Sequence, residues 1–182
     1  MLSREEVLET VKKCSEKYSF YYGSLKIKNS NAFFVGKDDS KKYLFIIGEP
    51  KILNQFDGGI IERGKYKIKR AHLSYDNLLK LKNFFPHLNP SICKLKSSFG
   101  TGDRLGMVSC AHTKAFKDKN IFPIIAQQSV RELKRTKRSW QDVINDAVWG
   151  YFESGLEISF GADADHVKEA KDLKKAVDAG FT

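Results

Sequence analysis

Ser159-Phe160-Gly161-Ala162-Asp163-Ala164-Asp165-His166-Val167-Lys168 decides how this chain is read, because an apolar run ends there in a cluster of chemistry and a helical pattern follows. If the strand persists, alternation puts Asp163 and Asp165 on one side, and His166 on the other unless the strand has ended. The small residues Gly161, Ala162 and Ala164 leave room for a ligand to approach the main chain. A carboxylate beside an imidazole suits a metal site or a proton-transfer pair, since neutral imidazole binds divalent metals and Asp serves as ligand or base. The same D-x-D-H pattern also serves as a helix N-cap beside a solvated acid.

Working outward, the helix after this stretch has Ala170, Leu173, Ala176 and Val177 as its inward face and Gly180 as its stop. Phe181 and Thr182 then read as the first residues of a fourth strand. Upstream, the strand–loop–helix rhythm occurs twice more. A strand near Ile92 to Phe99 leads through GTGDRLG to a short helix near His112 to Lys117. A second strand, Phe122 to Ala126, leads through Gln127, Gln128 and Ser129 to a helix opened by Ser129 with Glu132, and then to a longer helix capped by Ser139 with Asp142. Such repetition is the pattern of a parallel α/β domain, whose ligand sites lie beyond the carboxyl ends of the strands.

The first part of the chain has a different rhythm. Ser3 and Glu6 form a capping box for a helix with Val7, Leu8, Val11, Cys14 and Tyr18 on one face. Short β-like runs follow at Leu25 to Lys28, Ala32 to Val35 and Tyr43 to Ile47, as in an antiparallel meander. Asp57-Gly58-Gly59 reads as a turn, Lys65 to Leu73 as a strand with one wet face, and Asp76 to Phe85 as a helix stopped by Pro86, with Leu78, Leu79, Leu81 and Phe85 apolar. A boundary falls around Pro86 to Pro90, giving an α+β segment over 1–90 and a parallel α/β part over 91–182.

Composition narrows the function classes. The chain has 182 residues, 41% of them hydrophobic, enough for a packed core. No apolar run approaches the length of a membrane span, and the charged start has no signal-peptide core, which places the chain in the cytoplasm without a membrane partner. Cys14, Cys93 and Cys110 are odd in number and widely spaced, and they read as buried free thiols. The net charge of +10 suits nucleic acid, an acidic small substrate, or solubility alone. Arg131, Lys134, Arg135, Lys137 and Arg138 lack interleaved stacking aromatics, so the run reads as a solvated helix face and nucleic acid is disfavoured.

Among the motifs, FGTGDRLG at Phe99–Gly106 is neither a Walker loop nor the Rossmann spacing. It presents Asp103 and Arg104; the guanidinium suits a planar carboxylate, while a structural Asp–Arg pair is the competing reading. Gln127 and Gln128 can hydrogen-bond sugar hydroxyls, although Ser129 beside them also reads as a helix cap. Lys168 joins Asp103, Arg104, Gln127 and Gln128 as a candidate substrate-binding residue. His112 reads as structural or as a ligand contact, and no cysteine has a partner that would activate it.

The strings FGTGDRLG, AQQSVRELKRTKRSWQDVINDAVWGYF and FGADADHVK together resemble the tagaturonate epimerases and the related tagatose 4-epimerases. The resemblance covers about Phe99 to the end, with the first ninety residues similar in general layout only. It implies a TIM-like (β/α)8 barrel enzyme that uses a divalent metal cation to interconvert D-tagaturonate and D-fructuronate, with a small sugar acid as its partner. On that basis Asp165 is the proton acceptor and His166 a metal ligand. The chain is then expected to be an α+β segment followed by the first three βα units of a truncated barrel, a fragment inactive alone, with its other ligands and proton donor beyond Thr182. Ser109-Cys110-Ala111-His112 departs from the Thr-Pro-Gly-His expected of the family and leaves that loop's shape open. The epimerised carbon is β to the ketone, so its C–H is not acidified; retro-aldol opening and re-addition, begun by removal of a hydroxyl proton, is the expected route. Arg104 is the expected holder of the uronate carboxylate. A ketose 4-epimerase, a basic nucleic-acid-binding α/β domain and an independently folding non-catalytic α/β binding domain are the alternatives.

Overall fold

A computed structural model describes residues 3–14, 16–63 and 66–182. The backbone divides between Phe84 and Phe85 into two compact units.

The first unit opens with α1 (Arg4–Lys12), started by the Ser3–Glu6 capping box. Strands β1 (Ser19–Phe20), β2 (Lys26–Lys28), β3 (Asn31–Lys37) and β4 (Lys42–Ile47) follow, then the short α2 (Pro50–Leu53), β5 (Gly58–Arg63), β6 (Tyr66–His72) and α3 (Tyr75–Phe84). The strands pair antiparallel in the order β1-β3-β4-β6-β5, with β2 alongside β3. Strand β3 is buried on both faces. Ala32 and Phe34 share a core with Val7 and Val11 of α1, while Phe33 stacks on the opposite side against Phe56 and Phe84. Such two-sided cover explains a continuous apolar run where a half-wet strand would alternate.

One expectation changes here. Gly58 and Gly59 are not a free turn but the start of β5, paired with Ala71 and Arg70. Gly58 sits at φ +146°, where a Cβ would lie 2.2 Å from the Arg70 carbonyl oxygen, so close backbone approach rather than turning requires the glycine. Leu79 is exposed because α3 buries only Asn77, Leu78 and Leu81. The wet-faced strand is described over Tyr66–His72, and its expected first residue, Lys65, lies outside the described residues.

The second unit contains β7 (Ser98–Gly100), α4 (Ser109–Ala115), β8 (Phe122–Ser129), α5 (Val130–Thr136), α6 (Trp140–Ser154), β9 (Gly161–Asp165) and α7 (Ala170–Ala179). Its strands form a three-stranded parallel sheet in the order β7-β8-β9. The sheet is open, not a closed barrel. Helix α6 starts at the Ser139–Asp142 capping box and buries Val143, Ile144, Ala147, Val148, Tyr151 and Phe152, and the Tyr151 hydroxyl donates to the Ile158 carbonyl at 2.9 Å. That apolar face is the core of the unit.

Here too the structure corrects the sequence reading. The strand expected near Ile92 to Phe99 is paired only at Ser98–Gly100, and Ile92 and Leu95 are exposed. On α7 the inward residues are Ala176 and Ala179, whereas Leu173 and Val177 are 54% and 59% exposed. Ala176 and Ala179 stand three apart and so share the one helix face that is buried, while the larger apolar pair lies off it. Thr182 donates its N–H to the Ala162 carbonyl at 3.0 Å, so the chain's last residues lie beside β9. The cysteines are free, but only Cys14 is buried, while Cys93 is exposed. Among the described residues no helix is long and apolar enough to cross a membrane.

Candidate functional site

The parallel register of β8 and β9 builds the site. Gln127 lies opposite Asp163, and Ser129 opposite Asp165, so side chains two apart on each strand meet on one rim at the strands' carboxyl ends. Gln127 Nε2 donates to Asp163 Oδ2 at 2.9 Å. Gly100, ending β7, gives the amide its space: a Cβ there would come 3.0 Å from Gln127 Oε1.

After Gly100 the chain enters the loop that carries Asp103 and Arg104, and the two residues have different work. Asp103 is only 8% exposed and accepts hydrogen bonds from Met107 N at 3.1 Å, Val108 N at 2.9 Å and Ser109 Oγ at 2.7 Å. Burial pushes its carboxyl up, but the donors, led by the Ser109 hydroxyl, outweigh burial and hold it below the ordinary carboxylate range. It organises the loop and the start of α4. Its oxygens are therefore occupied by loop donors rather than offered to a sugar.

Arg104 projects from the same loop to Glu132 at 3.2 Å and toward Asp165 at 3.9 Å. Its backbone carbonyl is fixed as well, accepting from Gln128 Nε2 at 3.1 Å and from Arg138 Nη1 at 2.7 Å. Gln128 is fully buried and serves as a clamp on the loop, while Gln127 faces the rim. Arg138 was grouped with the solvated basic run, yet it bridges the Arg104 carbonyl and the Asp146 carboxylate. Burial pushes the Asp146 carboxyl up, and the charge of Arg138 opposes that rise. Glu132 appeared in the sequence only as a helix cap. It fills that role through Ser129 while also pairing with Arg104. Its pairing had no local signal, because Arg104 reaches it across the sheet.

Strand β9 ends at Asp165, and His166 takes a left-handed conformation at φ +53°. The turn frees His166 from strand alternation and brings its Nδ1 onto Asp165 Oδ1. The ring is 79% exposed. Lys168, two residues on, lines a cleft of about 410 Å³ together with His166, Arg131 and Lys134. His112 lies inside α4 with Nδ1 buried. Of the expected site residues, Gln127, Asp165, His166 and Lys168 lie at the rim or its cleft, Arg104 is held among acids there, and Asp103 and Gln128 support the loop. Among the described residues no group of three His, Cys, Asp or Glu side chains could hold a metal ion.

Comparison with known proteins gives the chain's family. A family model described as UxaE, tagaturonate epimerase, matches residues 21–182. The tagaturonate/fructuronate epimerase of Thermotoga maritima is 45% identical over 167 residues, which cover 91% of this chain and 34% of that protein. The native crystal structure of fructuronate-tagaturonate epimerase UxaE from Cohnella laeviribosi matches with a TM-score of 0.85 at 31% identity, covering 99% of this chain and 36% of that one. A form of the same enzyme complexed with one glycerol matches equally well. The chain thus spans about a third of the length of these relatives.

These matches correct the expected extent of the resemblance. It is not limited to about Phe99 onward with only a general likeness before it: it runs from residue 21 and, in the solved structures, over 99% of the chain. The reading of the fold as a truncated barrel gives way to an α/β fold with a partial, barrel-like parallel sheet, matched together with the antiparallel unit before it. The reading of the chain as an incomplete and inactive fragment likewise finds no support in matches that cover 91% and 99% of it.

Proposed function

We propose a function from one premise: the chain belongs to the tagaturonate epimerase family. Its substrate is a small sugar acid, and the reaction interconverts tagaturonate and fructuronate. The observation that carries the residue roles is the convergence of Asp165, His166, Arg104 and the Gln127–Asp163 pair on one rim at the carboxyl ends of parallel strands.

Asp165 acts as the proton acceptor. It takes the proton from the hydroxyl on the carbon to be inverted, that carbon's bond toward the ketone side opens to a carbonyl and an enediolate, and re-addition to the other face restores the bond. Gln127, oriented by Asp163, offers its amide to a substrate hydroxyl, which fixes the sugar relative to Asp165. Arg104, held through its carbonyl by Gln128 and Arg138, positions the Asp165 side chain from 3.9 Å.

His166 fits one ligand position of a divalent cation. Its Nδ1 meets the Asp165 carboxylate, the way carboxylates commonly orient metal-binding imidazoles, and its largely exposed ring presents Nε2 outward. A bound cation would supply Lewis-acid stabilisation of negative charge on oxygen. A cytoplasmic location goes with this reading, since three widely spaced cysteines make no disulfide framework.

The test is turnover of tagaturonate in the presence of divalent cations, followed by chromatography of the two sugar acids. Asp165→Asn should lower the rate by about 10²-fold or more while leaving the fold intact. His166→Ala should lower metal content after dialysis. Full turnover by the Asp165→Asn protein, or no turnover by the unsubstituted one, would remove this reading.

A further inference from the structure

The proposed substrate is an acid, and the cation first expected to hold its carboxylate is already engaged. Arg104 lies 3.2 Å from Glu132 and 3.9 Å from Asp165, so a third carboxylate there would meet two negative charges around one positive one. In a neighbouring cleft the cations outnumber the acids. The cleft of about 410 Å³ beside His166 is lined by Arg131, Lys134 and Lys168, facing the acids Glu169 and Asp172. Glu169 pairs with Lys171 at 2.7 Å and also feels the charge of Lys134, so three cations set against two acids leave the cleft a modest positive surplus.

The placement of these side chains matters as much as their charge. Arg131 and Lys134 stand three apart on α5 and so share a helix face, while Lys168 comes from the connection between β9 and α7. Cations from two separate segments thus converge on a volume within the range that small ligands occupy. In a ketohexuronate the carboxyl carbon is two bonds from the carbon that is inverted. A carboxylate-binding group must therefore sit close to the proton acceptor, and Lys168 follows Asp165 by only one turn of chain.

We infer that this cleft is the carboxylate pocket: Lys168, with Lys134 and Arg131, binds the acid end of the sugar while its reacting carbon lies at Asp165 and His166. The inference rests on the epimerase reading above and adds to it the basis for selecting sugar acids over neutral ketoses.

Calorimetric binding of D-tagaturonate, neutral D-tagatose and inorganic phosphate to the protein tests it. The unsubstituted protein should prefer the acid to the ketose. Lys168→Gln should weaken acid binding roughly ten-fold and Lys134→Gln/Lys168→Gln roughly a hundred-fold, with tagatose affinity unmoved, as expected for lost charge-assisted hydrogen bonds. Lys168→Arg should recover part of the loss. Lys174→Gln, which breaks the exposed pair with Asp178 elsewhere on α7, should change neither affinity. An unchanged acid-to-ketose ratio in the double variant would overturn the pocket, as would phosphate binding as tight as that of the acid or no binding of the acid at all. Failure of the epimerase reading looks different: the unsubstituted protein would then not turn tagaturonate over, whereas the lysine variants would still lose acid selectivity.

Discussion

Removing the Asp103 carboxylate tests how the loop that carries Arg104 is held. In Asp103→Ala the two N–H groups of Met107 and Val108 and the Ser109 hydroxyl all lose an acceptor in a part-buried setting. Each such loss costs about 1–3 kcal/mol where water cannot replace the acceptor, and some water entry into the emptied space offsets part, so a total of about 2–4 kcal/mol is expected. Both tryptophans, Trp140 and Trp149, lie in α6, so fluorescence in a urea titration reports the second unit specifically. The charge matters separately from the shape. Because the folded carboxyl is held below its ordinary range, its stabilisation is fully present above the unfolded value of about 4 and is lost as the pH falls through the folded value. Asp103→Asn keeps the size but must turn its NH₂ toward a donor, so it should lose about 1–2 kcal/mol at neutral pH and lack that acid-side dependence. A midpoint shift worth under about 0.5 kcal/mol in Asp103→Ala, or an unaltered pH profile in Asp103→Asn, would refute the assignment of Asp103 as the loop's anchor.

Asn77 is fully buried in the first unit, accepting from Asp57 N at 2.9 Å and donating to the carbonyls of Asp57 and His72 at 2.9 and 2.8 Å. Asn77→Ala should destabilise that unit by about 2–4 kcal/mol in a circular-dichroism melt, with little change in tryptophan fluorescence at the same temperature. Gly58→Ala places a Cβ against the Arg70 carbonyl at positive φ, and a loss of about 2–4 kcal/mol in the same melt is expected; a neutral result would mean that β5 does not approach β6 as described. Asp38 accepts from Ser40 N and Lys41 N, which lowers its carboxyl to about 2. Its carboxyl carbon signal, followed by NMR from neutral pH downward, should stay ionised through pH 4 and move only near the bottom of the acid range; Ser40→Pro, which removes the main donor, should raise that midpoint.

What the sequence determined by itself is whatever depends on neighbours along the chain. The capping boxes of Ser3 with Glu6, Ser129 with Glu132 and Ser139 with Asp142 close between residues three apart, so composition at that spacing is enough to predict them. Strand alternation likewise put Asp163 and Asp165 on one side, and the structure leaves them there, with His166 released where β9 ends. Only tertiary structure decided who their partners are. The parallel register sets Gln127 against Asp163, and the loop after β7 carries Arg104 to Glu132 and Asp165; neither pairing has a fixed spacing in sequence. Arg138 and Arg131 belong to one basic run, yet the first is a half-buried clamp on a loop and the second lines a cleft. On α7, similarly, apolar periodicity named Leu173, Ala176 and Val177, and of these only Ala176 is buried, with Ala179 beside it. A side chain's polarity is written in the residue, but its burial and its partner depend on which surface is packed against it, and that surface comes from distant chain.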